Sequence, residues 1–159
     1  LSASGLERIE YQVSANPGQP VKPLTKVASG GELSRISLAL QVITSRVGRV
    51  PTLIFDEVDV GIGGGVAEIV GAQLRTLAGS HQVLCITHLA QVAAQGHRHL
   101  QVTKETAANT TVTHIGPLSA KERVQEIARM LGGVEITRQT LDLAAEMLSR
   151  IGENADVPA

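Results

Sequence analysis

The sequence predicts an α/β fold in which a largely parallel sheet is flanked by helices and joined by one β-hairpin. Two short apolar runs carry the sheet, Thr52 to Phe55 (TLIF) and Gln82 to Ile86 (QVLCI), each read as a strand buried on both faces. A helical pattern stands between them, as a parallel crossover requires. The hairpin rests on His99 to Glu105 and Thr110 to Ile115, which turn at AANT. At 159 residues one domain is the natural expectation, residues 1–151, with 152–159 as a frayed tail.

The elements follow in order. Ile9, Tyr11 and Val13 alternate with Arg8, Glu10 and Gln12, the pattern of a half-buried strand. NPGQPVKP breaks it and leads to KVASGGELSR, Lys26 to Arg35. There Ser29 and Glu32 have the S-x-x-E spacing of a capping box. Leu33, Ile36, Leu40, Ile43 and Val47 recur at steps of three and four, which marks the face expected to be buried. Gly48 and Pro51 end that helix. After the loop Gly61 to Gly65 comes a helix with Val66, Ile69, Val70, Leu74 and Leu77 on one side. A short helix begins near Leu89. Ser119 and Glu122 form a second capping box, Gly132 and Gly133 close that helix, and a last one runs from about Arg138 to Arg150.

Composition narrows the function. Aromatic residues are 1% of the chain, so the core must be built from Val, Ile, Leu and Ala. A net charge of −1 is not the basic footprint of a chain that grips nucleic acid by itself. The single Cys85 cannot close an internal disulfide and fits a reducing compartment. No apolar stretch approaches membrane-spanning length, and no signal peptide is visible. The chain begins at Leu1 without a Met, as a fragment would.

Polar chemistry belongs at the carboxyl ends of parallel strands, and both runs end in it. TLIF is followed by Asp56 and Glu57, the form of a Walker B motif, in which the Asp helps hold Mg²⁺ and an adjacent carboxylate orients or deprotonates a water. The plainer reading is two acids that start a loop. VLCI ends in Thr87 and His88; the histidine is either a hydrogen-bonding partner for a phosphate or an ordinary loop residue. Gly30 and Gly31 are costly at a helix entrance, about 1 kcal/mol each against Ala in a helix interior. They suit close approach of a phosphate to the bare N–H groups, although a capped core helix is the simpler alternative. His97 and His99 lack an acid or thiol at ligand spacing, so a metal site there is not expected. The charges of KERVQEIAR, Lys104 beside Glu105, and Arg138 read as solvated.

Taken together and in this order, KVASGGELSR, TLIFDEVD and ITH resemble the signature, Walker B and switch-histidine motifs of the C-terminal lobe of an ABC-type P-loop ATPase head. DEVD is similar to SMC-type heads rather than transporters. NPGQPVKPLTKVASGGELSRISLAL, FDEVDVGI, THLAQVAA and EIARMLGG resemble, more narrowly, the RecN family of bacterial DNA-repair proteins, from about Glu10 to Arg150. The resemblance implies ATP and Mg²⁺ as ligands. It assigns Asp56 to Mg²⁺, held through water, Glu57 to the attacking water and His88 to the γ-phosphate. Ser29, Gly30, Gly31 and Glu32 then cap the nucleotide held by a second head. No G-x-x-x-x-G-K-[ST] occurs in the chain, so the phosphate loop is expected on an N-terminal Walker A segment of the same protein, beyond a long coiled coil. The further partners implied are a second ATPase head, as a homodimer, and DNA through the full-length protein, with no membrane. The expected setting is the bacterial cytoplasm near the nucleoid, and the role is double-strand-break repair and recombination by ATP-dependent head dimerisation. Two rivals stay open: a dimerisation or DNA-holding module with little turnover, and a transporter ATPase subunit. One departure stands out. Gly63 lies six residues after the catalytic Glu, where SMC heads tend to have Asp and RecN often Ser.

Overall fold

Apolar β-strands that run parallel need a crossover helix, and the chain supplies it. A computed structural model describes residues 5, 10–14, 18, 20–26, 30–44, 50–107, 110–133 and 135–153. The elements are β1 (Gln12–Val13), β2 (Lys22–Pro23), a 3₁₀ turn (Leu24–Lys26), α1 (Gly30–Thr44), β3 (Thr52–Phe55), α2 (Gly64–Leu77), β4 (Gln82–Cys85), α3 (Ala90–Gln95), β5 (Leu100–Ala107), β6 (Thr110–Pro117), α4 (Ala120–Gly132) and α5 (Arg138–Glu153). β3 and β4 pair in parallel from Thr52↔Gln82 to Phe55↔Cys85, with α2 between them in sequence. The bond from the Ile86 N–H to the Phe55 carbonyl, 3.0 Å, continues the ladder past Cys85. Asp56 and Thr87 therefore leave the sheet at the same edge.

Among the described residues the parallel part of the sheet is this one pair, smaller than the sequence suggests. β1–β2 and β5–β6 are antiparallel pairs of their own. The hairpin stands where expected, from Leu100↔Pro117 to Ala107↔Thr110. The first strand is short: Tyr11 is exposed beside it, and Arg8 and Ile9 lie outside the described residues.

Burial corrects three readings. Leu53, Phe55, Val83 and Cys85 face a core of Leu38, Val58, Ala67, Val70, Leu74, Leu77 and Val92. On the opposite face Ile54 is 69% exposed, Ile86 59% and Leu84 41%, so among the described residues the pair is covered on one side only. On α1 the core side is Gly31 and Leu38 with Val42, while Leu33, Leu40 and Ile43 face outward; Val47 lies outside the described residues. On α2, Val66 and Ile69 are exposed and Ala67, Val70, Gly71, Leu74 and Leu77 are buried. For the two helices the reason is common. These helices carry apolar residues on more than one side, and periodicity shows that a stripe needs cover without showing which neighbour supplies it.

A second core holds Ala90, Ala94, Ile127, Ala128 and Ala144, so α3 is packed between both clusters. Two guanidinium groups cap its C-terminal carbonyls: Arg75 donates to the Gln95 carbonyl at 2.7 Å, and Arg123 to that of Ala94 at 2.7 Å and to that of Gly96. Free carbonyls at a helix end need such partners. KERVQEIAR is thus only partly a solvated face. Besides Arg123, Glu126 is buried, bound through both oxygens by Arg129 at 2.7 and 2.8 Å and by the Gln101 amide at 2.7 Å.

The hydrogen bonds from Arg129, against the opposing effect of burial, hold the Glu126 carboxyl below its ordinary range. A depressed carboxylate contributes stability in full above its unfolded value of about 4.3 and loses it as pH falls through the folded value. Glu126→Gln is expected to cost about 1 kcal/mol near neutrality, since Arg129 is half in water. The cost should shrink below pH 4, which urea midpoints across a pH series measure; a constant difference would contradict the assignment.

The Ser119–Glu122 capping box forms in both directions, and Gly133, at φ +69°, ends α4. The box at Ser29 and Glu32 has its serine outside the described residues. α5 continues to Glu153, past Arg150 and into the stretch read as tail. Among the described residues no helix is long and apolar enough to cross a membrane.

Candidate functional site at the carboxyl edge of the parallel pair

The chain leaves β3 through a tight turn. The Asp56 carboxylate accepts the Glu57 N–H at 2.9 Å, and Glu57 sits at φ +60°. Few non-glycine residues adopt this left-handed conformation, which costs on the order of 1–3 kcal/mol and clusters at functional sites. The turn closes with the Val60 N–H on the Glu57 carbonyl, 3.3 Å. Val58 is fully buried beneath it and anchors the loop. From α1, Arg35 reaches across to donate to the Val60 carbonyl at 2.8 Å and to that of Val58 at 3.5 Å. Arg35 was not singled out by the sequence. It reads as one more charge on a helix, and only the fold shows that it ties the helix to the loop.

This packing supplies a reason for the two glycines from within the chain. A Cβ on Gly31 would lie 3.0 Å from the Val60 carbonyl oxygen and 3.1 Å from that of Glu57, backbone atoms that cannot easily yield. At Gly30 a Cβ would meet the Glu57 carboxylate at 2.6 Å. Gly31 is therefore needed for α1 to sit against the loop, whatever ligand its N-terminus receives.

Asp59, the last letter of DEVD, was given no role in the sequence. It is 2% exposed. Its Oδ2 accepts the Thr87 hydroxyl at 2.5 Å and the His88 N–H at 2.9 Å, and faces the His88 Nδ1 at 3.1 Å. The Thr87 hydroxyl in turn accepts the Leu89 N–H at 3.0 Å, just before α3. Burial pushes the Asp59 carboxyl up, but the bonds from Thr87 and the His88 amide, with the nearby ring, outweigh it; the net direction is down. Cys85 goes the other way. Its burial, with Asp59 and Asp56 nearby, raises the thiol to about 12, so it is no nucleophile.

The fold thus brings Asp56, Glu57 and His88 to one edge, with Gly30, Gly31 and Glu32 at the N-terminus of α1 against the same loop. Ser29 lies outside the described residues. Gly63 precedes α2 with open space around it. His97 and His99 fall before β5, and among the described residues no cluster of three or more acids, histidines or thiols forms a metal cage. Asp56, exposed at the strand end, is suited to a hard cation whose remaining ligands are phosphate and water.

No protein-family model matches the chain. It is 52% identical over 150 residues to a DNA repair protein RecN of Xylella fastidiosa (strain 9a5c), which is 94% of this chain and 27% of the relative. The RecN of Vibrio cholerae is 54% identical over 147 residues, and that of Bacillus subtilis 45% over 150, covering 92% and 94% of this chain and 26% of each relative. The chain spans about a quarter of the length of these curated relatives. Among solved structures, a chain from work on ATP-driven dimerization and DNA stimulated activation of SMC ATPases superposes with a TM-score of 0.52. The match covers 74% of this chain and 70% of that one at 19% identity, a likeness of fold. In sequence, and with an SMC-ATPase type of fold, the chain belongs to the RecN family, matching about a quarter of the length of such a protein.

Proposed function

We propose that the chain is the C-terminal half of an ATP-hydrolysing head, which works in DNA repair by closing on a second head around nucleotide. The observation that carries this reading is the convergence of Asp56, Glu57 and His88 on one edge of β3–β4, beside the N-terminus of α1. Asp56 would hold Mg²⁺, whose chemistry is to neutralise charge on the phosphates. Glu57 orients and deprotonates the attacking water. His88 donates to the γ-phosphate, and the turn from Ser29 to Glu32 caps the nucleotide of the partner head. Phosphoryl transfer of this kind rests on positioning and charge, which these residues supply without a covalent intermediate.

The bare surfaces support an incomplete head. Parallel strands are as a rule covered on both faces, yet Ile54, Leu84 and Ile86 are open, as are Leu33, Leu40 and Ile43 of α1. Their occupant in this reading is the N-terminal Walker A segment, which also brings the phosphate loop. DNA is then engaged by the whole protein rather than by this nearly neutral piece.

The test is calorimetry with Mg-ATP on the chain alone and on the chain joined to that segment, with circular dichroism to verify folding of each. The joined head should bind in the micromolar range and the chain alone at least about 100-fold more weakly, a loss of about 2.7 kcal/mol. Equal binding by both would refute the half-head reading.

A further inference from the structure

We propose that Asp59 is a positioning residue for His88: it fixes the imidazole with the hydrogen on Nδ1 and Nε2 turned out toward the ligand. The proposal rests on the functional reading above, in which His88 meets the γ-phosphate.

The geometry carries it. Two facing acceptors would repel, so a ring nitrogen 3.1 Å from a carboxylate oxygen must bear a hydrogen; here that nitrogen is Nδ1. The Asp59 side chain is 3% exposed and that of His88 69%, so the carboxylate is fixed by its surroundings and the ring is the part that would otherwise turn. Thr87 and the His88 amide donate to the same oxygen, Oδ2, and hold the carboxylate and the backbone of the histidine together. An exposed imidazole with no such partner samples several rotamers and both tautomers, and each costs rate where one geometry is needed. A buried carboxylate is also expensive unless fully bonded. The three contacts at Oδ2 offset that cost and join the loop after β3, which carries Glu57, to the loop after β4, which carries His88. Water and histidine ligand are thereby kept in one frame.

A double-mutant cycle in the full-length protein tests the assignment. Asp59→Asn keeps the shape and removes the charge, and it is expected to lower kcat about 10–100-fold, the usual loss when the carboxylate behind a functional histidine is removed. KM for ATP should stay within about threefold, because ground-state binding rests on other groups. In a His88→Ala background the same change should cost less than about threefold, since a positioning residue has nothing left to position. A purely structural Asp59 would instead slow both backgrounds equally and lower the melting temperature of both, and that result overturns the proposal. If Asp59→Asn does not fold, Asp59→Glu takes its place in the same cycle. Glu57→Gln is run alongside. Wild-type turnover in that variant defeats the functional reading itself, whereas loss of turnover with additive Asp59 and His88 effects defeats only the role of Asp59.

Discussion

Glu57→Gln in the full-length protein is expected to lower ATP turnover by about 10²–10⁴-fold, the usual loss on removing a general base, while ATP-bound heads stay together. The substitution changes little else. Glutamine matches glutamate in shape and shares its cost at φ +60°, so the turn between β3 and the buried Val58 is under no new strain. The Glu57 carbonyl still receives the Val60 N–H. What disappears is one negative charge and one basic oxygen at the carboxyl edge. Binding the nucleotide depends on other groups, so association is expected to persist and dissociation, which follows hydrolysis, to become slow. Phosphate release and size-exclusion chromatography with ATP measure the two halves of the expectation. Turnover near wild type would remove Glu57 from the chemistry.

Why could the place of Glu57 be read from sequence while the contacts of Asp59 and Arg35 could not? Asp56, Glu57 and His88 directly follow apolar runs, and the rule that places ligands at strand ends locates them without further geometry. Asp59 stands three residues into a loop, and nothing in its neighbours says that it turns inward. Its contacts exist only because β4 ends beside β3 in register, which places Thr87 and His88 within reach. Arg35 acts on two backbone carbonyls, and backbone partners leave no trace in a sequence. The same holds for Arg75 and Arg123 at the end of α3. The fold was legible where a signal is local: the Ser119–Glu122 box, Gly133 and the hairpin strands all stand where expected. Burial was not, because Ile54 and Leu40 report a need for cover that no described residue of this chain meets. Gly31 shows both sides of the problem. Its position at a helix start is visible in sequence, but one of its reasons, the carbonyls of Glu57 and Val60, is 26 or more residues away in the chain.

A mixture of Glu57→Gln and Ser29→Arg proteins is expected to recover activity that neither has alone. If the signature of one head caps the nucleotide of the other, a symmetric dimer has two sites, each built from the Glu57 of one head and the Ser29 of its partner. In a heterodimer carrying one change per subunit, both lesions then fall in the same site, and the other site is intact. Random exchange between equal amounts should therefore restore about a quarter of wild-type turnover: half the dimers are mixed, and each keeps one site of two. A subunit carrying both changes spoils both sites when paired with wild type, so mixing it with wild type should bring no such gain over the wild-type dimers present. Arginine at Ser29 places a bulky cation where the partner's γ-phosphate must dock in this reading; loss of the N-cap that the sequence predicts there would cost about 0.5–2 kcal/mol besides, which thermal melts must show to be tolerated. Gly31→Val provides the contrast. Its side chain would press on the carbonyls of Glu57 and Val60 in its own chain, so it damages the site of its own head as well as that of the partner. It should fail to complement either single variant, even where it folds. Recovery in the mixture of single changes, with none from Gly31→Val, requires a shared site between heads. No recovery in the single-change mixture, with about half of wild-type turnover in the double-change mixture, would mean that the turn at Ser29 serves its own chain.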